Sequence, residues 1–502
     1  MEIILAGCNV DYTAIGDFHA GRLNTEQLTP ETIAAAYARI SRDERPVNEL
    51  RALARKEVEK ARQSNENIVF TMGHSSIAEH AVFNIDVLHV SRLLVETLER
   101  SRLASYTEKS QRYVLLKDDF VLPAEVRDAG LDGDFIDTIA VQNRLYHKLY
   151  ERLRSYVFKR HPDLAQDQAN RSLLEGWAKE DARYVIALAT DTQLGMTVNA
   201  RTLERMIRHL ASSPLAEARE CGRRFFEVAV RIAPSLVRYV EPTDYDRLAG
   251  AEIKEKAACL GTTGSAGIWE GESAEAGPGG GEDAVLLHAT ADADDRVVAA
   301  LLHSAGALSW QECRKKVGRM AKGEKAEVIK TALCHMRAYD SVPREFENVD
   351  LQFELTVSAS CFAQLKRHRM ATITCQEYNP ALGVTVPQAV SEVGMERDFR
   401  EVVTRTEAVY ERIKKVAPAA ATYILTNAHR RRVSLKVNAR ELYHIARLRG
   451  DRYAQWDIRC TAEKMMALGK EAMPLTLMLV AGKDAFPALQ AQIFSAAAEI
   501  KG

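Results

Sequence analysis

The chain has 502 residues, which is too long for one ordinary hydrophobic core, so we expect two domains. Hydrophobic residues make up 46% and charged residues 27% of it, as in soluble globular proteins, and a net charge of -1 gives no support to a nucleic-acid-coating role. The eight cysteines include no Cys-x-x-Cys pair, which argues against a structural zinc site or a disulfide framework and favours a reducing cytoplasm. No apolar run approaches the roughly 18–20 residues needed to cross a bilayer.

The first half of the chain is predicted to open on a strand. Met1–Val10 lacks a basic start and meets acid early, so we interpret it as a strand rather than a signal peptide. Pro30–Ser41 has helical spacing, with Thr29 as the N-cap and Pro30 at the first helical position. Apolar and polar residues alternate at the end of Gly73–Val90, which predicts a strand there. Further helices are predicted at Asn48–Ser64, Ser91–Arg102, Leu131–Arg160, Leu173–Ala189 and Met196–Leu210.

A change of composition near residue 250 separates the two halves. Gly261–Asp283 is dense in glycine, serine, alanine and acidic residues, and it cannot bury enough apolar surface to fold alone, so we predict a flexible linker. The order of elements then begins again. Ala284–Ala289 is predicted as a strand, followed by a helix, a helix at Lys322–Ala338 and a strand at Val349–Val357.

The two halves also share residues at matching positions, in the same order. The matches are Val90-Ser91 with Val357-Ser358, Arg100 with Arg367, Arg102 with Arg369, Ala104 with Ala371, and Val198-Asn199-Ala200-Arg201 with Val437-Asn438-Ala439-Arg440. Two groups of matches in one order indicate a tandem duplication. We therefore expect a first copy at residues 1–250, a linker at 251–283 and a second copy at 284–502.

A basic cluster follows the apolar run Leu351–Leu365. Arg367, His368 and Arg369 stand together there, and the nearest acid is Glu377. Such a cluster suits an anion, whether a phosphate, a carboxylate or a reduced cofactor, because guanidinium groups offer forked donors. The alternative is a solvated basic turn.

Read together, the motifs of both copies resemble those of flavin-dependent thymidylate synthases. That family carries Arg-His-Arg, seven residues, then Ser, followed by Arg-Tyr. The first copy has Arg100-Ser101-Arg102 with Ser110 and Arg112-Tyr113, whereas the second has Arg367-His368-Arg369 but Glu377 in place of the serine. The family's upstream motif is present in the first copy as His74, Ser76, Glu79 and His80, and its downstream motif in the second as Asn438, Arg440, Leu448-Arg449, Asp451 and Ala454-Gln455-Trp456.

This resemblance implies an α/β (α+β) fold in two copies. Each copy is expected to have a mixed sheet with long flanking helices, and the two copies to form a pseudo-dimer. The family is tetrameric, so a homodimer of tandem chains would rebuild its four-copy assembly. The resemblance also implies an enzyme, a methyltransferase that converts dUMP to dTMP with FAD as cofactor and with NADPH and methylene-tetrahydrofolate as co-substrates.

The resemblance further implies a dUMP site shared between two copies. The second copy keeps Gln364, Arg367 and Arg449, whose counterparts in the first are Thr97, Arg100 and Leu210. The first copy keeps the other set, which is Glu108, Ser110, Gln111, Arg112 and Arg183; the second copy has Cys375, Glu377, Asn379 and Thr422 at the positions of Glu108, Ser110, Arg112 and Arg183. The expected catalytic residues are Arg449, Arg367 and Ser110. Each copy has lost the residues that the other keeps, so each is expected to provide half of the site.

The FAD site is likewise expected from residues in both copies. The expected residues are Ser41, His74, Ser76 and Glu79 in the first copy and Arg367, His368, Arg369, Asn438, Arg440 and His444 in the second. No metal is expected, because His74 and His80 have no third ligand beside them. We expect a pyrimidine nucleotide as partner, no nucleic acid and no membrane.

Other interpretations of the same residues stay open. Tyr453 stands where the family often has histidine, so a related flavoenzyme could modify another pyrimidine nucleotide or use another one-carbon donor. A flavin- or nucleotide-binding homologue without turnover is a further alternative. His74 and His80 could merely pack beside the strand, and Asn199 and Arg201 could merely shape the first copy. Cys375 replaces a family glutamate, so we interpret it as a loss rather than a nucleophile.

Overall fold

The computed structural model describes residues 1–263 and 283–495, which form two compact units. The first unit contains residues 1–263 and 397–425, and the second contains residues 283–396 and 426–495. Residues 397–425 of the predicted second copy therefore pack in the first unit. Most of the predicted linker Gly261–Asp283 lies outside the described residues. No described helix combines the length and apolarity needed to cross a membrane.

The elements follow one order in each copy, beginning with a strand. The strands are β1 (Glu2–Cys8), β2 (Val82–Ser91), β3 (Ala104–Glu108), β4 (Asp191–Asn199), β5 (Ala284–Ala289), β6 (Asp350–Ser358), β7 (Thr372–Cys375) and β8 (Arg430–Asn438). The helices are α1 (Tyr12–His19), α2 (Glu31–Arg39), α3 (Val47–Lys56), α4 (Val58–Glu66), α5 (Arg92–Leu98), α6 (Ala124–Asp128), α7 (Asp132–Arg160), α8 (Pro162–Ala165), α9 (Arg171–Ala182), α10 (Ala200–Ala211), α11 (Ala216–Val230), α12 (Asp244–Thr263), α13 (Ala293–Ala305), α14 (Trp310–Val317), α15 (Lys322–Leu333), α16 (Ala359–Leu365), α17 (Gln388–Glu392), α18 (Glu396–Val416), α19 (Ala439–Arg449), α20 (Trp456–Ala472) and α21 (Phe486–Ser495).

Each unit has one four-stranded sheet, with strand order β1-β2-β4-β3 in the first and β5-β6-β8-β7 in the second. The α+β class and the two copies are confirmed. The sheets were expected to be mixed, but every pair of these eight strands is antiparallel. Antiparallel sheets commonly bury one face and leave the other polar, and this arrangement produces the alternation that predicted β2.

The strand registers of the two sheets place matching residues at matching positions. Ser91 lies opposite Asp191 in the first sheet, and Ser358 lies opposite Arg430 in the second. Both central strands end in a serine that caps the next helix. The hydroxyl of Ser91 accepts from Leu94 N at 2.9 Å, and that of Ser358 accepts from Cys361 N at 3.0 Å. The caps fix where α5 and α16 begin, and α16 leads directly into the basic cluster.

Several helix predictions were wrong at their ends. Asn48–Ser64 is two helices, because the backbone leaves helical geometry at Glu57 (φ -125°, ψ 60°). Met196–Leu210 begins as the end of β4 and becomes helical only after Asn199, whose side chain accepts from Thr202 N at 2.8 Å. Alternation along β4 outweighs the helical spacing that follows it.

Four other predicted helices end or begin differently in the structure. The helix predicted to start at Pro30 starts at Glu31. Three predicted helices stop early, at Leu98, Ala182 and Leu333. Local polar groups and tertiary contacts decide such ends, and spacing alone does not reveal them.

Each core lies between a sheet face and helices of the same unit. In the first unit, Phe83, Ile85 and Val87 of β2 are buried in one cluster with Leu203 of α10 and Phe225 of α11. In the second, Leu351, Phe353 and Leu355 of β6 are buried in a cluster that includes Leu442 of α19 and Met465 of α20. These cores hold α5, α10, α16 and α19 against the sheets, and the last residue of α19 is Arg449.

Candidate functional site

The basic cluster of the second unit alternates between exposed and buried side chains. Arg367 and Arg369 are exposed, whereas His368 between them is only 3% exposed. The backbone turns here, with His368 N donating to Leu365 O and Ala371 N donating to His368 O, both at 3.1 Å. The turn directs the imidazole inward while both guanidinium groups lie at the surface.

Arg449, at the end of α19, is fastened to this turn. Its Nε donates to His368 Nε2 at 3.1 Å, and its Nη2 donates to the backbone oxygen of Gln364 at 3.3 Å. Glu441, two turns earlier on α19, places Oε1 3.6 Å from His368 Nδ1. Burial lowers the pKa of His368, and Arg449 and His444 lower it further, whereas Glu441 opposes them. The ring is therefore favoured in its neutral form.

Gln364 is held by a second glutamine. Its Nε2 donates to Gln455 Oε1 at 3.2 Å, and the same Gln455 oxygen caps α20 by accepting from Ile458 N at 3.4 Å. Among the described residues, the buried Oε1 of Gln364 has no hydrogen-bond partner. A buried acceptor in that state is costly, so it favours a ligand donor or water.

The FAD residues expected at the start of α19 and along it differ in whether their side chains are free to contact a ligand. Asn438 is the N-cap, with its oxygen accepting from Glu441 N at 2.8 Å. Arg440 donates to Val342 O at 3.0 Å and to Glu347 at 2.9 Å. His444 is exposed, and its ring meets that of His368 edge-on at 5.7 Å between centroids. Only His444 of these three presents an exposed side chain without a hydrogen bond to another described residue.

The nucleotide residues expected in the first unit form a charged cluster. Arg112 Nε pairs with Glu180 on α9, and the backbone N of Arg112 donates to Ser110 Oγ at 3.2 Å. Glu108 lies 3.3 Å from the buried Arg92. Gln111 is buried beside this segment. Four of the expected residues, Glu108, Ser110, Gln111 and Arg112, therefore lie in one segment of the chain. The fifth, Arg183, directly follows α9 and interacts electrostatically with Arg112.

Arg183 is a buried arginine of this cluster whose pKa is shifted. It is 6% exposed, and burial lowers its pKa; Arg112 and Arg92 lower it further, while Tyr184 and Glu180 raise it. Arginine stays protonated in proteins, so the lowered pKa means that the positive charge is held at a cost. A bound anion would relieve that cost, which is what a phosphate site requires.

The FAD residues expected in the first unit lie around the turn that precedes β2. Ser41, His74 and Ser76 are exposed. Glu79 forms an ion pair with Arg201 of α10. The equivalent arginine of the second unit, Arg440, pairs in the same way with Glu347, so each copy joins this turn to its helix through an ion pair.

Three charged residues that complete these clusters were not predicted. They are Arg92 and Glu180 in the first unit and Glu441 in the second. The strand registers equate them with Ala359, Ala419 and Thr202 of the other copy. A search for positions charged in one copy and uncharged in the other would have found all three. Within the described ranges, no group of three or more His, Cys, Asp or Glu residues could hold a metal ion.

Comparison with known proteins places these motifs in one family. The family model "Thymidylate synthase complementing protein" matches residues 22–235 and again residues 285–475, which confirms the tandem duplication. A flavin-dependent thymidylate synthase from Clostridium tetani is 31% identical over 219 residues, covering 43% of this chain and 83% of its own. The chain therefore belongs to the flavin-dependent thymidylate synthase family and carries the family sequence twice.

Two longer relatives match across both copies. A UPF0159 protein of Chlamydia muridarum is 23% identical over 417 residues, covering 78% of this chain and 75% of its own. The UPF0159 protein Ta1429 of Thermoplasma acidophilum is 23% identical over 472 residues, covering 86% of this chain and 91% of its own. Both alignments are longer than one copy, so these relatives are similar to the chain across its two copies.

Proposed function

We propose that this chain is an FAD-dependent thymidylate synthase that reductively methylates dUMP to dTMP in the cytoplasm, with methylene-tetrahydrofolate and NADPH as co-substrates. The observation that carries the proposal is that the arginines expected to bind the nucleotide are divided between the two units. In the first unit the buried Arg183 lies near Arg92 and Arg112, and in the second unit Arg449 donates a hydrogen bond to His368. The family relative from Clostridium tetani, named a flavin-dependent thymidylate synthase, supports the same activity.

The first unit would bind the phosphate of the nucleotide. Arg112 and Arg183 provide guanidinium groups near the buried Arg92, and the carboxylates of Glu108 and Glu180 lie beside them. A nucleotide monophosphate carries nearly two negative charges and accepts forked hydrogen bonds. Ser110 adds a hydroxyl donor beside Arg112. This donor set matches a phosphate better than it matches a neutral ligand.

The second unit would bind the pyrimidine ring. Arg449 is fixed at Nε and Nη2 by His368 and Gln364, so its guanidinium has one preferred orientation. A preorganised cation can stabilise negative charge that develops on a ring oxygen as C5 becomes nucleophilic. Gln364, in the last turn of α16, and Arg367, in the basic cluster that follows α16, would complete this half of the site.

The residues of the second unit fit an anionic dinucleotide such as FAD. The exposed Arg367 and Arg369 suit its diphosphate, and the exposed His444 suits a ring or ribose edge. In the first unit, Ser41, His74 and Ser76 are exposed and polar. When bound, FAD supplies the redox chemistry of the methylation. The protein's own part is to bind the phosphates, orient the nucleotide and polarise its ring.

We also propose that these halves act together in one type of composite site. The support is the pattern of substitutions between the copies. Each copy lacks the ligand residues of one half-site, and it also lacks the charged residues that contact those ligand residues in the other copy. Arg92 and Glu180 are alanines in the second copy, and Glu441 is threonine in the first. The proposal includes a pseudo-dimer of copies 1–250 and 284–502 and a homodimer of chains.

Purified protein loaded with FAD tests the activity directly. We expect dTMP to form from dUMP when methylene-tetrahydrofolate and NADPH are both present, and to be absent when either is omitted. Growth of a thymidine-requiring strain carrying this gene would support the same conclusion. Tight binding of FAD and dUMP without any dTMP would refute turnover and leave a binding homologue.

A second candidate is modification of another pyrimidine nucleotide. Tyr453, which stands where the family often has histidine, is exposed, and its hydroxyl accepts from Arg452 Nη2 at 2.8 Å. A tyrosine and arginine beside the Arg449 segment would change what this edge of the site accepts. Competition of uridine and cytidine nucleotides against dUMP decides between the candidates, because the synthase requires dUMP to bind best.

A further inference from the structure

We propose that His368 is a positioning residue that holds the guanidinium of Arg449, with Glu441 fixing the protonation of its ring. The inference rests on the proposed function in one respect only, namely that Arg449 contacts the nucleotide. It gives His368 a role distinct from those of Arg367 and Arg369, its neighbours in the basic cluster.

The direction of the hydrogen bond fixes the ring's tautomer. Arg449 Nε always carries a hydrogen, so it must be the donor in its 3.1 Å contact with His368 Nε2. Nε2 must then be the acceptor, and the single ring proton of a neutral imidazole must lie on Nδ1. That nitrogen has no hydrogen-bond partner among the described residues, but the carboxylate oxygen Oε1 of Glu441 lies 3.6 Å from it, and this negative charge favours a proton there. Arg449, the ring and, beyond hydrogen-bond distance, Glu441 therefore form one chain of contacts.

Burial separates His368 from the surface. The ring is 3% exposed and Glu441 is 7% exposed, whereas Arg367 and Arg369 on either side are exposed. The charged or titratable groups that face the ring are Glu441, Arg449 and His444, all from α19. The two arginines are thus accessible to an anionic ligand, and the imidazole is turned toward α19.

The first copy lacks this chain of contacts as a whole. Its residues at the positions of His368, Glu441 and Arg449 are Ser101, Thr202 and Leu210. If His368 served only the flavin, its loss would not require the loss of Glu441 and Arg449. The joint replacement of all three is what we expect when they serve one purpose, the orientation of one guanidinium.

Two substitutions at His368 test the role. His368→Phe keeps a planar ring but has no acceptor, whereas His368→Gln can place an oxygen near the position of Nε2. We expect His368→Phe to weaken dUMP binding about tenfold or more, because Arg449 loses its fixed orientation. We expect His368→Gln to stay within about threefold of the wild type. The family resemblance places His368 in the FAD site, but the ring is buried, so the positioning role instead predicts unchanged FAD content in both variants.

A double-mutant cycle separates positioning from a general structural effect. His368→Phe should cause no further loss of dUMP binding in a protein that already carries Arg449→Ala. Additive losses, or a fall in FAD content with dUMP affinity intact, would overturn the positioning role. If Arg449→Ala itself leaves dUMP binding unchanged, the nucleotide assignment under the proposed function fails instead.

Nitrogen NMR on histidine-labelled protein gives a readout that needs no nucleotide. The His368 signals are identified as those missing in His368→Phe, with His368→Gln as a second reference in case the Phe variant folds poorly. We expect the proton on Nδ1 and a bare Nε2, and we expect Arg449→Ala to perturb Nε2. A proton on Nε2 in the wild type would refute the proposal whatever the substrate is.

Discussion

At the scale of single residues, the two proposed half-sites hold their arginines differently. Arg183 is buried near Arg92 and Arg112, and burial lowers its pKa, whereas Arg449 donates a hydrogen bond to the buried His368. The sequence predicted both arginines through the family resemblance. It could not predict their partners, because Arg92, Glu180 and Glu441 lie 16, 68 and 73 positions from the residues they contact (Glu108, Arg112 and His368) and belong to no quoted motif.

The Arg112–Glu180 pair leads to a stability prediction. Arg112→Ala removes an ion-pair partner of the largely buried Glu180, so we expect a loss of about 1–3 kcal/mol in the free energy of unfolding of the first unit. Arg223 is a matched control, because its pairs with Glu220 and Glu227 on α11 are exposed. Arg223→Ala should cost well under 1 kcal/mol. Equal thermal midpoints for the two variants would show that the Arg112 pair is not buried.

The lowered pKa of His368 predicts a pH dependence. The folded protein disfavours the protonated ring, so the neutral form persists at and above the ordinary histidine pKa of about 6.5 and is lost as the pH falls through the lowered value. Protonation places a hydrogen on Nε2, which then cannot accept from Arg449. We expect dUMP affinity to fall with acid more steeply in the wild type than in His368→Gln. The phosphate's own titration, near pH 6, is common to both proteins and cancels in the comparison; identical profiles would exclude a role for His368.

At the scale of elements, the sequence predicted β2 and β6, one of the two central strands of each sheet, and the long helix α7. The alternation of β2 and the match of Val90-Ser91 with Val357-Ser358 were sufficient for that. It did not reveal the break at Glu57, the end of α9 at Ala182 or the strand character of Met196–Asn199. These ends depend on caps and on strand pairing, which are not local properties of the chain.

Two buried serines near the start of α16 give a prediction at this scale. Ser358 caps α16 and also donates to Asp457 Oδ2 at 2.5 Å, whereas Ser360 Oγ is buried with no partner among the described residues. Ser358→Ala should therefore lower the free energy of unfolding by about 1 kcal/mol or more. Ser360→Ala should be neutral or stabilising, because it removes an unsatisfied hydroxyl. Thermal unfolding of both variants checks this, and the reverse order would contradict the assigned cap.

At the scale of the whole molecule, the first unit is completed by chain from the second copy. Leu188 N and Ala189 N donate to the backbone oxygens of Leu425 and Tyr423, at 2.8 and 2.9 Å. The hydroxyl of Tyr423 donates to Glu217 at 2.6 Å, and burial raises the pKa of that carboxyl. The duplication was visible in the sequence. The packing of residues 397–425 in the first unit was not, because no local pattern marks it.

The packing of residues 397–425 in the first unit predicts how the two copies behave when they are expressed separately. Residues 1–250 expressed alone lack the partners of Leu188 and Ala189, so buried N–H groups and the apolar surface beneath residues 397–425 are left uncovered. We expect that fragment to be insoluble or partly unfolded, and co-expression with residues 284–502 to restore a soluble complex. A stable, monomeric fragment 1–250 would show that residues 397–425 are dispensable for the first unit.

The proposed composite site requires arginines of both copies to bind one nucleotide. Calorimetric titration of dUMP into the FAD-loaded protein tests this requirement. The variants to compare are Arg112→Ala, Arg449→Ala and Arg100→Ala. Arg100 is the first-copy counterpart of Arg367 and is the control. We predict that Arg112→Ala and Arg449→Ala each abolish or severely weaken binding, while Arg100→Ala leaves it nearly unchanged. Intact binding in the first two variants together with its loss in Arg100→Ala would contradict the composite site.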